Sequence, residues 1–181
     1  MDADVAALMD EYIRSRGDRL VRTAYLLTGD RQICDDLVQT TLASVLVSWR
    51  RIRDVSDLDA YVYTALVNAR ARWWRRRSRV EQATESVPEQ PAVDENGRYD
   101  GREEMVAALR TLPPRQRAVL VLRFYEDLTE AQTATILGCS VGTVKSQAAR
   151  GLQKLRRALD PGPGPRPAEL AQARWPVEQI R

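Results

Sequence analysis

Hydrophobic residues in the first eighty positions recur at the three-and-four spacing of an amphipathic helix, and the alternation typical of strands is almost missing. The first stripe consists of Leu20, Ala24 and Leu27. The Thr28-Gly29-Asp30 sequence behind it can end one helix and cap the next. The pattern therefore predicts a second helix, with a stripe formed by Val38, Leu42, Val45 and Trp49.

A third helix is predicted from about residue 58 to residue 79, after a polar stretch at 50–57 that has the composition of a loop. Its apolar side carries Leu58, Val62, Ala65, Ala69 and Trp73. The three helices together predict an all-helical N-terminal domain over residues 5–80.

The composition changes after residue 80. Residues 81–100 have few large apolar side chains, two prolines and a net negative charge, which is typical of a flexible linker, and composition alone favours a passive tether. The apolar pattern resumes at 101–160, where Pro114 is well placed to open a helix. Residues 161–181 begin with PGPGPRP and predict a disordered tail. The predicted fold is all-α, with two small helical domains joined by a linker.

Residues 128–155 have the order of a helix-turn-helix: a short helix, a glycine turn and a longer helix. Thr129 can cap the short helix, Gly138 can make the turn, and Ser140 or Thr143 can cap the long helix. Thr133 departs from the pattern, because a branched aliphatic side chain would fit its packing position better. The alternative is an ordinary amphipathic surface helix.

The two sides of the long helix differ sharply on a helical wheel. The side predicted to be buried carries Val144, Ala148, Leu152, Leu155 and Leu159. The opposite side is polar and suited to the major groove of DNA, where Gln and Arg can pair with base edges and phosphates. This side carries Thr143, Gln147, Arg150 and Lys154, with Ser146 at its edge.

Positive charge is concentrated in two blocks although the net charge is only +3. The blocks lie at 70–79 and 150–157, with acidic residues between them, and this arrangement suggests two contacts with a polyanion. Trp73 falls beside the apolar stripe of the third helix, whereas Trp74 is rotated by about 100° and shares a face with Tyr63, Val67, Arg70 and Arg77. A face that mixes aromatic and cationic groups suits single-stranded or melting DNA. The alternative is that both indoles are core and the arginines only solvate the end of the helix.

Several classes of protein do not fit the sequence. No stretch is long and apolar enough to span a bilayer, and the N-terminus lacks the layout of a signal peptide. There is no histidine, and Cys34 and Cys139 are expected to be small core residues rather than metal ligands. No P-loop or nucleophile motif is present. We therefore expect a soluble cytoplasmic protein that makes no direct membrane contact, holds no metal or cofactor and is not an enzyme.

Four segments resemble those of a known family. They are RTAYLLTGDRQICDDLVQTTL at 22–42, AYVYTALVN at 60–68 leading into WWRRR at 73–77, LPPRQRAVLVLRFYEDLTEAQTA at 112–134 and LGCSVGTVKSQ at 137–147. The chain resembles the extracytoplasmic-function (ECF) sigma factors of bacterial RNA polymerase, and among them the short actinobacterial SigE-family subgroup. The resemblance implies a sigma region 2 domain at 5–80, which binds the promoter −10 element and core polymerase, and a region 4 domain at 101–160, which binds the −35 element.

The resemblance also implies roles for individual residues. Contact with core RNA polymerase, through the clamp helices of its largest subunit and the flap of its second-largest subunit, falls to Asp36, Leu37, Gln39, Thr40 and Phe124. Contact with the −10 element falls to Tyr61, Tyr63, Asn68, Arg72, Trp74, Arg75 and Arg76. Contact with the −35 element falls to Thr143, Lys145, Ser146, Gln147, Arg150, Lys154 and Arg115.

The partners implied by the resemblance are core RNA polymerase and promoter DNA, and members of the family are often held by an anti-sigma factor. The alternative function is a free-standing helix-turn-helix regulator. That alternative explains residues 128–155 but leaves the Trp-Arg block without a role.

Overall fold

The computed structural model describes residues 3–49, 58–83 and 101–159, and within these ranges every regular element is helical. The prediction of an all-α fold is therefore confirmed. The predicted loop at 50–57, residues 84–100 of the predicted linker and the predicted tail at 161–181 lie outside the described residues. The helices are α1 (Ala3–Thr28), α2 (Arg31–Val47), α3 (Leu58–Ala83), α4 (Gly101–Arg110), α5 (Pro114–Leu120), α6 (Glu130–Leu137) and α7 (Val141–Leu159), with a π-helical segment (Val121–Tyr125) after α5.

The first three helices form a bundle around a core of buried apolar side chains. Its large, fully buried side chains include Leu20, Leu27, Val45, Val62 and Leu66. The helix break between α1 and α2 is built as the sequence predicts. Gly29 has a left-handed φ of 72°, and the Asp30 carboxylate accepts hydrogen bonds from the amides of Gln32 (2.9 Å) and Ile33 (3.2 Å).

The buried side of α2 differs from the predicted stripe. The helix buries Cys34, Leu37, Thr41 and Val45, while Val38, Leu42 and Trp49 are only partly buried. The predicted stripe is offset from the observed one because the observed stripe has a polar residue, Thr41, near its centre. A pattern that counts only apolar residues passes over it. Thr41 is fully buried and donates its hydroxyl to the Leu37 carbonyl of its own helix (2.7 Å), so burial leaves no hydrogen bond unmade.

The C-terminal helices begin and end at the predicted signals. Pro114 stands at the start of α5, and Thr129 forms a capping box with Gln132 at the start of α6. Gly138 has a φ of 60° and makes the turn, and the Ser140 hydroxyl caps α7 by accepting from the Thr143 amide at 3.1 Å. Of the two predicted caps for the long helix, Ser140 is therefore the one used, and Thr143 lies within α7.

One residue of the helix-turn-helix is poorly matched to its surroundings. Thr133 is fully buried, and no described residue offers its hydroxyl a hydrogen bond. A Thr133→Val variant keeps the shape of the side chain and removes the unsatisfied group. We expect it to raise the free energy of unfolding by about 1 kcal/mol in urea titrations. The control is Thr135→Val on the same helix, where the exposed hydroxyl donates to the Ala131 carbonyl (3.0 Å) and no gain is expected. A destabilised Thr133→Val variant would contradict the prediction.

The two groups of helices are in contact. Helix α1 packs against α4, α5 and the π-helical segment, and α3 packs against α6. The seam is close at the first helix break, because a Cβ atom added to Gly29 would lie 2.4 Å from the Cδ of Arg110. Nothing in the sequence pattern predicted that the N-terminal bundle and the helix-turn-helix domain would dock.

Candidate nucleic-acid and polymerase interfaces

Helix α7 presents a polar surface beyond the body of the helix-turn-helix. Val144 and Leu155 anchor its inner side, and Gly151 lets it cross α5 closely, since a Cβ there would lie 3.1 Å from the Cγ of Leu120. The outer side carries the predicted polar stripe. Ser146, Arg150 and Lys154 of this stripe are exposed, as is the neighbouring Lys145, and Thr143 and Gln147 are half-buried.

The polar residues of α7 differ in how far they are already engaged. The Ser146 hydroxyl donates to the Thr143 carbonyl (3.0 Å), and the Thr143 hydroxyl lies 2.9 Å from that of Ser140. Lys145 pairs with Glu130 of α6 (Nζ to Oε2, 3.5 Å). Arg150 makes no ion pair with another described residue. Arg150 can therefore reach DNA without first breaking an ion pair.

A second cationic surface lies near the end of α3. Trp74 is 50% exposed, and its ring centre is 6.0 Å from that of the half-buried Trp73. Arg72, Arg75 and Arg76 are exposed around the two indoles. Trp74 is thus the more open of the two indoles, as predicted, whereas Trp73 is only half-buried rather than part of the core. Farther back on α3, Asn68 is exposed and Tyr61 is half-buried.

Tyr63, predicted to contact the −10 element, is not on this open surface. It is buried, and its hydroxyl donates to the Glu126 carboxylate at 2.5 Å. Arg70, on the same side of α3, is also buried and donates to the Pro114 carbonyl at 3.3 Å. Burial, followed by the charge of Glu126, raises the pKa of Tyr63 and keeps the phenol protonated. Tyr63 is therefore inaccessible to DNA in this arrangement, because the C-terminal domain covers it.

The predicted polymerase-binding residues of α2 also divide into two groups. Asp36, Gln39 and Thr40 are exposed on one side of the helix. Leu37 is buried in the core and cannot contact a partner directly, which corrects its predicted role. In the C-terminal domain Arg115 is exposed, and Phe124 is half-buried with the Arg123 guanidinium 5.8 Å from its ring centre.

Glu126, Arg19 and Arg117 form contacts between the domains that sequence reasoning missed. Arg19 donates to the Glu126 carboxylate (2.7 Å), and Arg117 donates to the Leu27 carbonyl (3.0 Å). Each pair joins residues about a hundred positions apart, so no local spacing could have revealed it. No local motif marked Arg117, which follows Arg115 and Gln116 just before the apolar run at 118–122.

Comparison with known proteins accounts for both halves of this architecture. Residues 12–80 match the family model for sigma-70 region 2, and residues 102–155 match the model for sigma-70 region 4. The chain is 41% identical to the RNA polymerase sigma-E factor of Streptomyces coelicolor, over 83% of this chain and 85% of that protein. The chain therefore belongs to the sigma-70 family of RNA polymerase sigma factors.

Further relatives indicate the group to which the chain belongs within this family. It is 33% identical to the ECF RNA polymerase sigma factor SigL of Mycobacterium tuberculosis, over 85% of this chain and 90% of that protein. Its fold matches that of sigma factor RpoE from Bartonella quintana, solved in complex with the anti-sigma factor NepR, with a TM-score of 0.71 and 27% identity over 83% of this chain and 95% of that one. The chain is a promoter-directing sigma factor of the ECF group. The region 2 match also accounts for the N-terminal half, which a free-standing regulator would leave unexplained.

Among the described residues, no helix has both the length and the apolar character needed to cross a membrane. No group of three or more side chains in those ranges could hold a metal ion.

Proposed function

We propose that this sigma factor holds two promoter elements with two different surfaces. The polar side of α7 reads the −35 element as intact duplex, and the Trp74 surface with Arg72, Arg75 and Arg76 binds −10 bases that have left the stack. In this proposal residues 5–80 act as region 2, residues 81–100 as the connection and residues 101–160 as region 4. The observation that carries the proposal is the half-exposed Trp74 indole among exposed arginines, remote in sequence from an exposed cationic recognition helix.

The two surfaces act at different steps of transcription initiation. Contacts of α7 with phosphates position the protein, and each contact adds about −0.9 to the slope of log affinity against log salt concentration. Taking a base out of the stack costs about a few kcal/mol. Stacking that base on an aromatic side chain returns about 1–3 kcal/mol. Because this return is available only from unpaired bases, it favours the melted promoter over the closed one. This mechanism consists of binding and base stacking and requires no catalytic residue.

Core RNA polymerase completes the site. We assign the exposed face of α2, with Asp36, Gln39 and Thr40, to the clamp helices of the largest subunit, and Leu37 supports that face from below. Arg115 and Phe124 are assigned to the flap of the second-largest subunit, with Arg115 also near DNA. The complex of a solved relative with an anti-sigma factor supports a partner of that kind for this chain as well. The proposed dependence on core polymerase supports a site of action in the cytoplasm.

Reconstituted transcription tests this function. The purified chain and core polymerase would be incubated with a random promoter library, and the transcribed templates sequenced. We expect transcripts only when both proteins are present, and the selected templates should share two separated elements. A chain that never co-elutes with core polymerase, yet binds one duplex operator tightly alone, would instead be a free-standing regulator.

A further inference from the structure

A buried carboxylate lies at the seam between the two domains. Glu126 belongs to the C-terminal domain, and its side chain is 1% exposed. Three groups of the N-terminal bundle donate to it: the Arg19 guanidinium (2.7 Å), the Tyr63 hydroxyl (2.5 Å) and the Thr23 hydroxyl. We call Glu126 and these three donors the Glu126 clasp. All the side-chain partners that the described residues give Glu126 therefore come from the other domain.

Further hydrogen bonds cross the seam in both directions. Arg19 also donates to the Tyr125 carbonyl (3.0 Å), and its guanidinium lies 5.8 Å from the centre of the Tyr125 ring. Arg117 of the C-terminal domain donates to the Leu27 carbonyl (3.0 Å). Arg70 of the bundle donates to the Pro114 carbonyl (3.3 Å). The contact is thus specific in geometry, with charged donors matched to acceptors on the opposite side.

The clasp makes docking a state with a defined geometry. A carboxylate taken out of water is tolerated only when a cation and hydrogen-bond donors replace its hydration, and here they come from the bundle. If the domains separate, water can solvate Glu126 again. The seam also contains an opposing force. Burial, followed by the charges of Arg70 across the seam and of Arg110 in the same domain, lowers the pKa of Arg117 to about 10, so burying this guanidinium has a cost that offsets part of its hydrogen bonding.

Docking and promoter binding exclude each other on grounds of size. The names −35 and −10 denote promoter positions 25 base pairs apart. At about 3.4 Å per pair, this separation is about 85 Å of duplex. A compact body of this chain length has a radius of gyration of about 16 Å. The docked domains therefore cannot occupy both elements together. Docking also covers Tyr63 and Arg70, which continue the Trp74 surface along α3.

We propose that the docked arrangement is an autoinhibited state of the free sigma factor and that the Glu126 clasp is its latch. Core polymerase and promoter DNA bind the separated domains, so opening the clasp precedes or accompanies full engagement. Opening returns Tyr63 and Arg70 to the −10 surface. This proposal rests on the proposed function for its consequence in transcription, but the docked state itself can be measured without polymerase.

The first test uses Glu126→Gln, which keeps the size of the side chain and removes its charge. The matched control is Glu103→Gln, the same change at an exposed position on α4. In small-angle X-ray scattering of the free full-length chain, we expect Glu126→Gln to increase the radius of gyration, while Glu103→Gln remains like the wild type. Because apparent affinity scales with the fraction of competent molecules, Glu126→Gln should bind core polymerase about five- to tenfold more tightly.

The second test opens the clasp from the other domain. Arg19→Ala should reproduce both effects, since it removes the cation that faces Glu126. The double variant should resemble either single variant, because both changes break one contact. Agreement between changes on opposite domains separates release of the seam from local damage to either domain, and circular dichroism of each variant checks that its helices are kept.

Two results would overturn the proposal. One is an unchanged radius of gyration in both Glu126→Gln and Arg19→Ala, regardless of how tightly these variants bind core polymerase. The other is clear expansion of both variants with core affinity equal to that of the wild type, which would make docking irrelevant to activity. A chain whose variants expand as expected but which never binds core polymerase, in any form, would refute the proposed function, and with it the inhibitory role, while the measured latch would stand.

Discussion

Replacing Trp74 with alanine is expected to reduce formation of the open promoter complex by about 5- to 150-fold, the range that corresponds to losing about 1–3 kcal/mol of base stacking. Closed-complex formation should change little, because paired bases offer no free face to an indole. The two steps can be separated with permanganate, which modifies unpaired thymines, and with binding measured at a temperature too low for melting. The half-exposed position of Trp74 leaves a ring face available for this contact.

The control for this prediction is Trp74→Phe, which keeps an aromatic face at the same position. It should retain most of the opening activity if stacking is the source of the effect. A Trp74→Ala variant that weakens the closed and open complexes equally would remove Trp74 from the melting step. That result would fit the alternative in which the indoles only support the end of α3 and the neighbouring arginines hold duplex phosphates.

Local features of the fold were predictable because each depends on a few neighbouring residues. Asp30, Thr129 and Ser140 cap helices with side-chain oxygens that reach amides two or three residues ahead. Gly138 makes a turn that requires a left-handed backbone. The same reasoning failed for the buried side of α2. That side includes Thr41, and a pattern that counts only apolar residues passes over a threonine.

The seam between the domains could not be predicted from the sequence, because its contacts join residues far apart along the chain. Tyr63 lies on the helical face shared with Trp74, so the wheel predicted that both would be open to DNA. The structure buries Tyr63 beneath Glu126, a residue that carries no local motif. The π-helical segment before Glu126 was also not predicted. Its last turn is closed by the Glu126 amide, which donates to the Val121 carbonyl at 3.0 Å.

The seam changes how the −10 surface is understood. In the docked state Trp74, Arg72, Arg75 and Arg76 remain open while Tyr63 and Arg70 are covered. Region 2 therefore shows only part of its aromatic and cationic surface until the domains separate. Under the proposed function, we expect a free chain in this state to hold melted DNA more weakly than a chain whose domains core polymerase keeps apart.

Arg150→Ala is the second change from which we expect a large effect, a loss of about 1–3 kcal/mol in preference for the cognate −35 sequence if the guanidinium makes a bidentate contact with a base. This corresponds to about 5- to 150-fold in competition between −35 variants, measured with the polymerase complex at fixed salt. Arg14→Ala is the charge-matched control, because Arg14 is exposed on α1 and pairs only with the exposed Glu11 among the residues described around it (3.3 Å). It should leave the preference unchanged.

Arg150→Lys then separates base reading from phosphate binding. Lysine keeps the positive charge but lacks the planar fork of two parallel donors. If Arg150 reads a base, the lysine variant should lose much of the sequence preference while the salt dependence stays close to that of the wild type. If Arg150 contacts only phosphate, lysine should substitute well, and alanine should weaken all −35 sequences alike and reduce the salt slope by about 1. Equal affinity of the alanine variant for every −35 sequence tested, at wild-type strength, would exclude Arg150 from the interface.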